Sequence, residues 1–83
     1  MQKKLSHKDS IYTNRSGTTV RINYSNELKI LEVEFTGGRV YHYFNVPLSK
    51  WEKYRNVIEE GGSSGEFINQ QIKPFYNAEE IDN

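Results

Sequence analysis

LEVEFTGGRVYHYFNVP, residues 31–47, is the stretch of sequence that decides the fold. Apolar residues alternate with Glu32 and Glu34, the pair Gly37-Gly38 follows, and β-branched and aromatic residues come next. Alternation on both sides of a glycine pair is typical of two antiparallel strands joined by a tight turn. The stretch therefore predicts a β-hairpin.

Two registers fit this hairpin, and they place opposite sets of side chains on the same face. A two-residue loop pairs Val33 with His42. A three-residue loop, with Gly38 in the left-handed conformation, pairs Val33 with Tyr41 instead. We favour the three-residue loop because it gathers the tyrosines with the aliphatic residues and puts His42 beside the charged residues.

The segment before the hairpin predicts a further strand. Residues 19–24 alternate, with Ile22 on an apolar face and Arg21 on a polar face. Ser25, Asn26 and Glu27 then supply a turn. This order of segments predicts three antiparallel strands in a meander.

Two helices are predicted after the third strand. Ser49 and Glu52 have the spacing of a capping box, which predicts a helix from about residue 50 to residue 60. Ser63 and Glu66 repeat that spacing and predict a second, shorter helix.

The elements together predict an α+β fold, a three-stranded antiparallel β-meander packed against two short C-terminal α-helices. We divide the chain into a flexible polar arm (residues 1–17), a folded domain (residues 18–77) and an acidic tail (residues 78–83). Only Ile81 can anchor the tail, and we expect the tail to fray.

Composition narrows the class of protein. The chain has 83 residues, enough for one core, and 11 basic residues balance 11 acidic ones. It has no cysteine, which excludes disulfides, thiolate zinc sites and thiol catalysis. We expect a cytoplasmic protein, because no apolar run approaches the length of a membrane span and no leader sequence is apparent.

The candidates for catalysis are few. Glu32 and Glu34 share a strand face and His42 comes close to them in the favoured register, but a sheet this small offers little cleft. We expect these side chains to be solvated. Two histidines without cysteine are too few for a transition-metal site, and Ser63-Ser64-Gly65 is too short for a phosphate loop. We predict no enzyme, no cofactor and no metal.

A set of positions along the chain resembles the KTSC domain, which is named from the C-terminus of some lysyl-tRNA synthetases. The resemblance covers roughly residues 19–76 and rests on Tyr41, Tyr43, Val46, Pro47, Ser64, Gly65, Phe67, Asn69, Ile72 and Tyr76. Its tail differs in spacing, because Ser64 directly precedes Gly65. We expect these positions to be structural. The resemblance implies a domain of uncertain function that also occurs alone in bacterial and phage genomes and that has been linked to RNA.

Two functions remain open. The first is a non-enzymatic protein-interaction module of bacterial or phage origin, which pairs through a strand edge or an aromatic patch with itself or with another protein. The second is an RNA-binding accessory domain, whose candidate phosphate contacts are Lys3, Lys4, Lys8, Arg15, Arg21 and Arg39. Base stacking requires Tyr41 and Tyr43 to be exposed, so their burial separates the two hypotheses.

Overall fold

In the part of the chain that the structure describes, five strands form one antiparallel sheet in which each strand pairs with its neighbours along the chain. The computed structural model describes Leu5, residues 10–13 and residues 16–81. The strands are β1 (Ile11–Tyr12), β2 (Thr19–Ser25), β3 (Ile30–Phe35), β4 (Val40–Tyr43) and β5 (Ala78–Ile81). The helices are α1 (Leu48–Glu59) and α2 (Ser64–Phe67), and one π-helical turn, Ile68–Ile72, continues α2. The predicted α+β class is confirmed.

The number of strands differs from the prediction, because the meander β2–β4 carries one further short strand at each edge. β1 lies within the predicted polar arm, and its two residues are too few to show a period in the sequence. β5 lies within the predicted acidic tail, where we expected fraying. Ile81 pairs with Val40 and is only 5 % exposed. Burial of this one branched side chain helps to hold a strand whose other three residues are exposed.

The hairpin has the register that we favoured. Glu32 pairs with His42 and Val33 with Tyr41. The loop has three residues, because the Phe35 N–H donates to the Arg39 carbonyl at 2.8 Å. Gly37 and Gly38 have φ angles of +98° and +93°, which favour glycine at both positions.

The first helix begins earlier than predicted, and the prediction of a capping box at Ser49 is wrong. α1 starts at Leu48 with Pro47 as its N-cap and no side-chain cap. Ser49 is therefore already inside the first turn, where its hydroxyl cannot occupy the capping position. Pro47 lacks an N–H and has a restricted φ, which suits the start of a helix.

The second capping position is confirmed. The Ser63 hydroxyl accepts a hydrogen bond from the Glu66 N–H at 3.1 Å. Between the helices, Gly61 has a φ of +83° and reverses the chain direction after α1.

The two faces of the sheet differ: one buries apolar side chains, and the other buries polar and charged side chains. The face under the helices is apolar and contributes Ile22, Leu31, Val33 and Tyr43 to a core with Val46, Trp51, Tyr54, Phe67, Ile68 and Ile72. The opposite face buries Arg21, Asn23, Glu32 and His42. The sequence pattern predicted a solvated face at these positions, and that prediction is wrong.

A chain of buried hydroxyl groups joins the helices to the sheet. The Thr19 hydroxyl donates to Ser64 Oγ at 2.7 Å, and Tyr54 and Thr13 extend the chain at its two ends. Gly65 lets α2 approach closely, because a Cβ atom there would lie 2.7 Å from Thr18 Oγ1. Burial is the main cause that raises the pKa of Tyr54, so this phenol stays protonated and serves as a hydrogen-bonding group. The Ser64-Gly65 pair is thus part of the helix-sheet junction.

The hydroxyl chain predicts a specific loss of stability. Replacing Ser64 with Ala removes the shared partner of Thr19 and Tyr54, and we expect the free energy of unfolding to fall by about 1–3 kcal/mol. Urea denaturation, monitored by tryptophan fluorescence, measures this change in the free energy of unfolding. Ser49→Ala is the matched control and should change stability little, because Ser49 is exposed and caps nothing. Equal stability of the two variants would contradict the role of the chain.

Candidate functional site

A groove with aromatic and basic walls lies where the end of the hairpin meets the segment after the π-helical turn. Its volume is about 370 Å³. It is lined by Phe35, Thr36, Arg39, Tyr41, Tyr43, Lys73, Tyr76 and Ala78, and we call it the aromatic groove. Three of these residues, Tyr41, Tyr43 and Tyr76, belong to the set that carries the family resemblance.

The rings of the aromatic groove are fixed by contacts with one another. Phe35 and Tyr41 meet edge to face, with ring centroids 5.7 Å apart. Lys73 Nζ lies 5.5 Å from the centroid of the Phe35 ring, within the range of a cation–π interaction. Phe35 and Tyr41 are half-buried, whereas Tyr43 is only 3 % exposed. The groove therefore offers ring edges and parts of ring faces, together with the exposed cations Arg39 and Lys73.

The aromatic groove adjoins an edge of the sheet. Ala78 lines the groove and is also the first residue of β5. Glu79 and Glu80 follow it and are exposed. Within the described part of the chain, no strand pairs with the outer side of β5. Rings, cations, carboxylates and an available strand edge thus lie next to one another around Ala78.

The opposite face of the sheet holds a buried cluster of charges centred on Glu32. Arg21 Nη1 lies 2.8 Å from Glu32 Oε1, and His42 Nε2 lies 2.7 Å from Glu32 Oε2. Glu32 is fully buried, and Arg21 and His42 are each 1 % exposed. The expectation that Glu32 and His42 are solvated is wrong, because both side chains are buried, and Leu5 and Ser10 contact the cluster on this face.

Two contacts show how the segment before β2 covers the cluster. The backbone N–H of Leu5 donates to Glu32 Oε2 at 2.7 Å. Arg21 donates to Ser10 Oγ at 3.0 Å and also to Glu34 Oε1 at 3.2 Å. The charges of the cluster are therefore compensated by one another, although Arg21 Nη2 and Glu32 Oε1 are buried without a hydrogen-bond partner among the described residues.

The environment of Glu32 sets the protonation of the cluster. Burial raises the pKa of Glu32, but the Leu5 N–H, His42 and the Arg21 guanidinium act in the opposite direction and prevail. The pKa of this carboxyl group is therefore held below its ordinary value. The carboxylate is the form that the folded chain stabilises.

The candidate phosphate contacts are separated by the structure. Arg39 is exposed at the aromatic groove, whereas Arg21 is buried in the cluster. Lys3, Lys4, Lys8 and Arg15 lie outside the described residues. Sequence reasoning missed Lys73 and Ala78 as groove residues. The only signal for Lys73 was its place beside Ile72 in the family pattern, and Ala78 gave none.

The remaining family positions are mostly internal. Val46, Ser64, Gly65, Phe67 and Ile72 are buried, and Pro47 caps α1. Asn69 is exposed. Across residues 10–13 and 16–81 and at Leu5, no three His, Asp or Glu side chains are grouped as metal ligands. None of the described helices has the length and apolar character needed to cross a bilayer.

A larger groove, of about 630 Å³, lies between the β1–β2 connection and the α1–α2 connection. Its wall includes Thr13 and Ser64, whose hydroxyl groups are already engaged in the buried hydroxyl chain. The other lining residues are Tyr12, Ile58, glycines and small polar residues, and Glu59 is the charged side chain among those described. The aromatic groove, which keeps its cations available, is the stronger candidate.

The lowered pKa of Glu32 predicts a dependence of stability on pH. A carboxyl group with a lower pKa in the folded state binds its proton more tightly when unfolded, so stability falls as the pH drops below about 4.5. We expect Glu32→Gln to be less stable at pH 7 and to lose part of this decline. Urea denaturation at several pH values between 7 and 3 measures both effects.

The matched control is Glu52→Gln, on the exposed side of α1. It should keep the wild-type dependence of stability on pH. If the stability of Glu32→Gln declines with falling pH as steeply as that of the control, the cluster does not hold the carboxylate as described.

Sequence and fold comparisons agree on one family. The family model of the KTSC domain matches residues 15–76. The crystal structure of a KTSC domain protein from Yersinia pestis has a similar fold, with a TM-score of 0.64 and 26 % sequence identity, and the match covers 81 % of this chain and 89 % of that chain. No curated protein matches the chain in sequence. The family match includes β2, the hairpin and both helices, and the chain therefore belongs to the KTSC domain family.

Proposed function

We propose that the chain is a small non-catalytic binding module that recognises another protein through the aromatic groove. The observation that carries this proposal is the combination of half-buried rings with the exposed cations Arg39 and Lys73 in one concave surface. Aromatic residues and arginine are the side chains that contribute most strongly to protein interfaces.

The arrangement of polar groups supports a role without catalysis. Glu32 and His42, the side chains suited to acid–base chemistry, pair with each other on the face opposite the helices. The aromatic groove is on the helix side, and its titratable side chains are tyrosines and cations. A general base normally lies within hydrogen-bond reach of a substrate-binding surface, and the residues that line the described groove include no carboxylate or imidazole.

RNA is the second candidate, and the observation that favours it is the position of Arg39 and Lys73 beside aromatic rings. Three features favour a protein partner instead. Tyr43 is buried, Arg21 is held by Glu32, and the exposed carboxylate of Glu80, on the groove side of β5, would repel phosphate.

Origin and location remain predictions. The similar structure comes from a protein of Yersinia pestis, which supports the expected bacterial or phage origin. The lack of cysteine supports the expected cytoplasmic location.

Charge reversal in the groove tests the proposed function. Beads carrying the wild-type chain, Arg39→Glu/Lys73→Glu or the control Lys53→Glu/Arg55→Glu are exposed to a bacterial extract, and retained proteins are identified by mass spectrometry. The control changes the net charge equally, on exposed positions of α1. We expect one retained protein to be shared by the wild type and the control, and its purified form to bind the groove variant at least tenfold more weakly in calorimetry.

Nuclease treatment and purified tRNA distinguish the second candidate. Capture that survives nuclease, with no electrophoretic shift of tRNA at low salt, agrees with a protein partner. Capture that is lost with nuclease, together with a tRNA shift that the groove variant abolishes, would replace the proposal with RNA binding. Equal binding of a purified partner by the groove variant would exclude the groove as its site.

A further inference from the structure

We infer that β5 is a docking edge at which a basic, extended segment of the partner protein adds a sixth strand to the sheet. This inference rests on the proposed function and specifies the chemistry of the partner. β5 lies outside residues 15–76, which the family model matches, so the edge is a feature of this chain beyond that match.

The backbone of β5 provides the first argument. β5 has four residues, pairs with β4 on one side and ends the strand order of the sheet. Among the described residues, no strand uses its outer hydrogen-bonding groups. An extended peptide can satisfy such groups by strand addition, in which backbone hydrogen bonds supply affinity and side-chain pockets supply specificity.

The charges of β5 provide the second argument. Glu79 and Glu80 are exposed and point to opposite faces of the sheet, because side chains alternate along a strand. No described side chain forms an ion pair with either carboxylate. A second copy of β5 in antiparallel pairing would bring carboxylates close to carboxylates, which disfavours self-association. A segment with Lys or Arg opposite both glutamates would have complementary charge on both faces.

The aromatic groove provides the third argument. Ala78 pairs with Tyr43 and lines the groove, so a partner residue opposite Ala78 would project on the groove side. The small side chain of Ala78 leaves room for a large neighbour. The adjacent rings and the Lys73 cation suit an aromatic side chain. The inferred segment therefore carries one aromatic residue followed by two basic residues, opposite Ala78, Glu79 and Glu80.

Synthetic peptides test the inference with the full chain. The probe is a fluorescent peptide of nine residues, with Phe-Lys-Lys at its centre and alternating Thr and Val on both sides. A second peptide with Lys-Lys-Phe covers the opposite strand direction. Anisotropy measures affinity, and amide chemical shifts locate the contact. We expect one peptide to bind, with the largest shifts in residues 78–81, and its Glu-for-Lys version to bind at least tenfold more weakly.

Charge exchange on the protein provides the decisive comparison. Glu79→Lys/Glu80→Lys should lose at least tenfold in affinity for the basic peptide and gain affinity for the acidic one. Glu59→Lys/Glu60→Lys makes the same change in net charge at exposed positions of α1 and its end, and it should keep the wild-type preference. Circular dichroism checks that both variants fold.

Three results would overturn the inference. One is equal affinity of both charge variants for the basic peptide. Another is undiminished binding by a peptide whose backbone is N-methylated at alternate residues, because this peptide cannot form a strand ladder. The third is sedimentation of the wild type as a dimer whose β5 amides are protected from hydrogen exchange, since a second copy would then occupy the edge.

The two proposals fail in different ways. If no peptide binds β5 but the groove variant still loses its purified partner, the protein-interaction function stands without strand addition. If the peptides bind as expected but the groove variant keeps its partner, the docking edge stands and the aromatic groove is not the site of that partner.

Discussion

The register of the β3–β4 hairpin is the constraint on which both faces of the sheet depend. Pairing Glu32 with His42 sends Val33 and Tyr41 to the helix side, where the apolar core forms. A slip of one residue would move an imidazole into that core, where a polar group without a partner is costly. The three-residue loop, with Gly37 and Gly38 both at positive φ, fixes the register through residues that are close together along the chain.

The buried charge cluster fixes how the residues around it are arranged more than it adds to the free energy of unfolding. Two charges removed from water lose hydration, and their mutual attraction only offsets that loss, whereas removal of one partner costs about 3–5 kcal/mol. Glu32 meets this demand by bonding at once to Arg21, to His42 and to the Leu5 N–H. Other residues of the chain can therefore cover this strand face in place of water. Leu5 is one of them, and it is attached through the Glu32 carboxylate.

The features that were predicted correctly are those that residues close together along the chain determine. Alternation gave the hairpin, the Ser63 cap gave α2, and both depend on residues a few positions apart. Burial of Glu32 depends on Leu5, 27 residues away, and a polar strand face covered by another segment has the same alternation as a solvated one. β5 escaped prediction for the same reason, because Ile81 is buried only through its pairing with Val40. The aromatic groove was not predicted, since its tyrosines belong to family positions that we expected to be structural, and Lys73 and Ala78 complete it.

The proposed binding surface is the place where polar groups are exposed. Glu32, Arg21 and His42 are buried and form ion pairs with one another. Around Ala78, in contrast, cations, carboxylates, ring edges and backbone groups lie next to one another without such mutual pairing. A phosphate backbone attracted by Arg39 and Lys73 would meet Glu80, which pairs with Tyr41 on the groove side. A peptide carries apolar side chains and charges of either sign along one backbone, and for this reason it matches the surface better than a nucleic acid does.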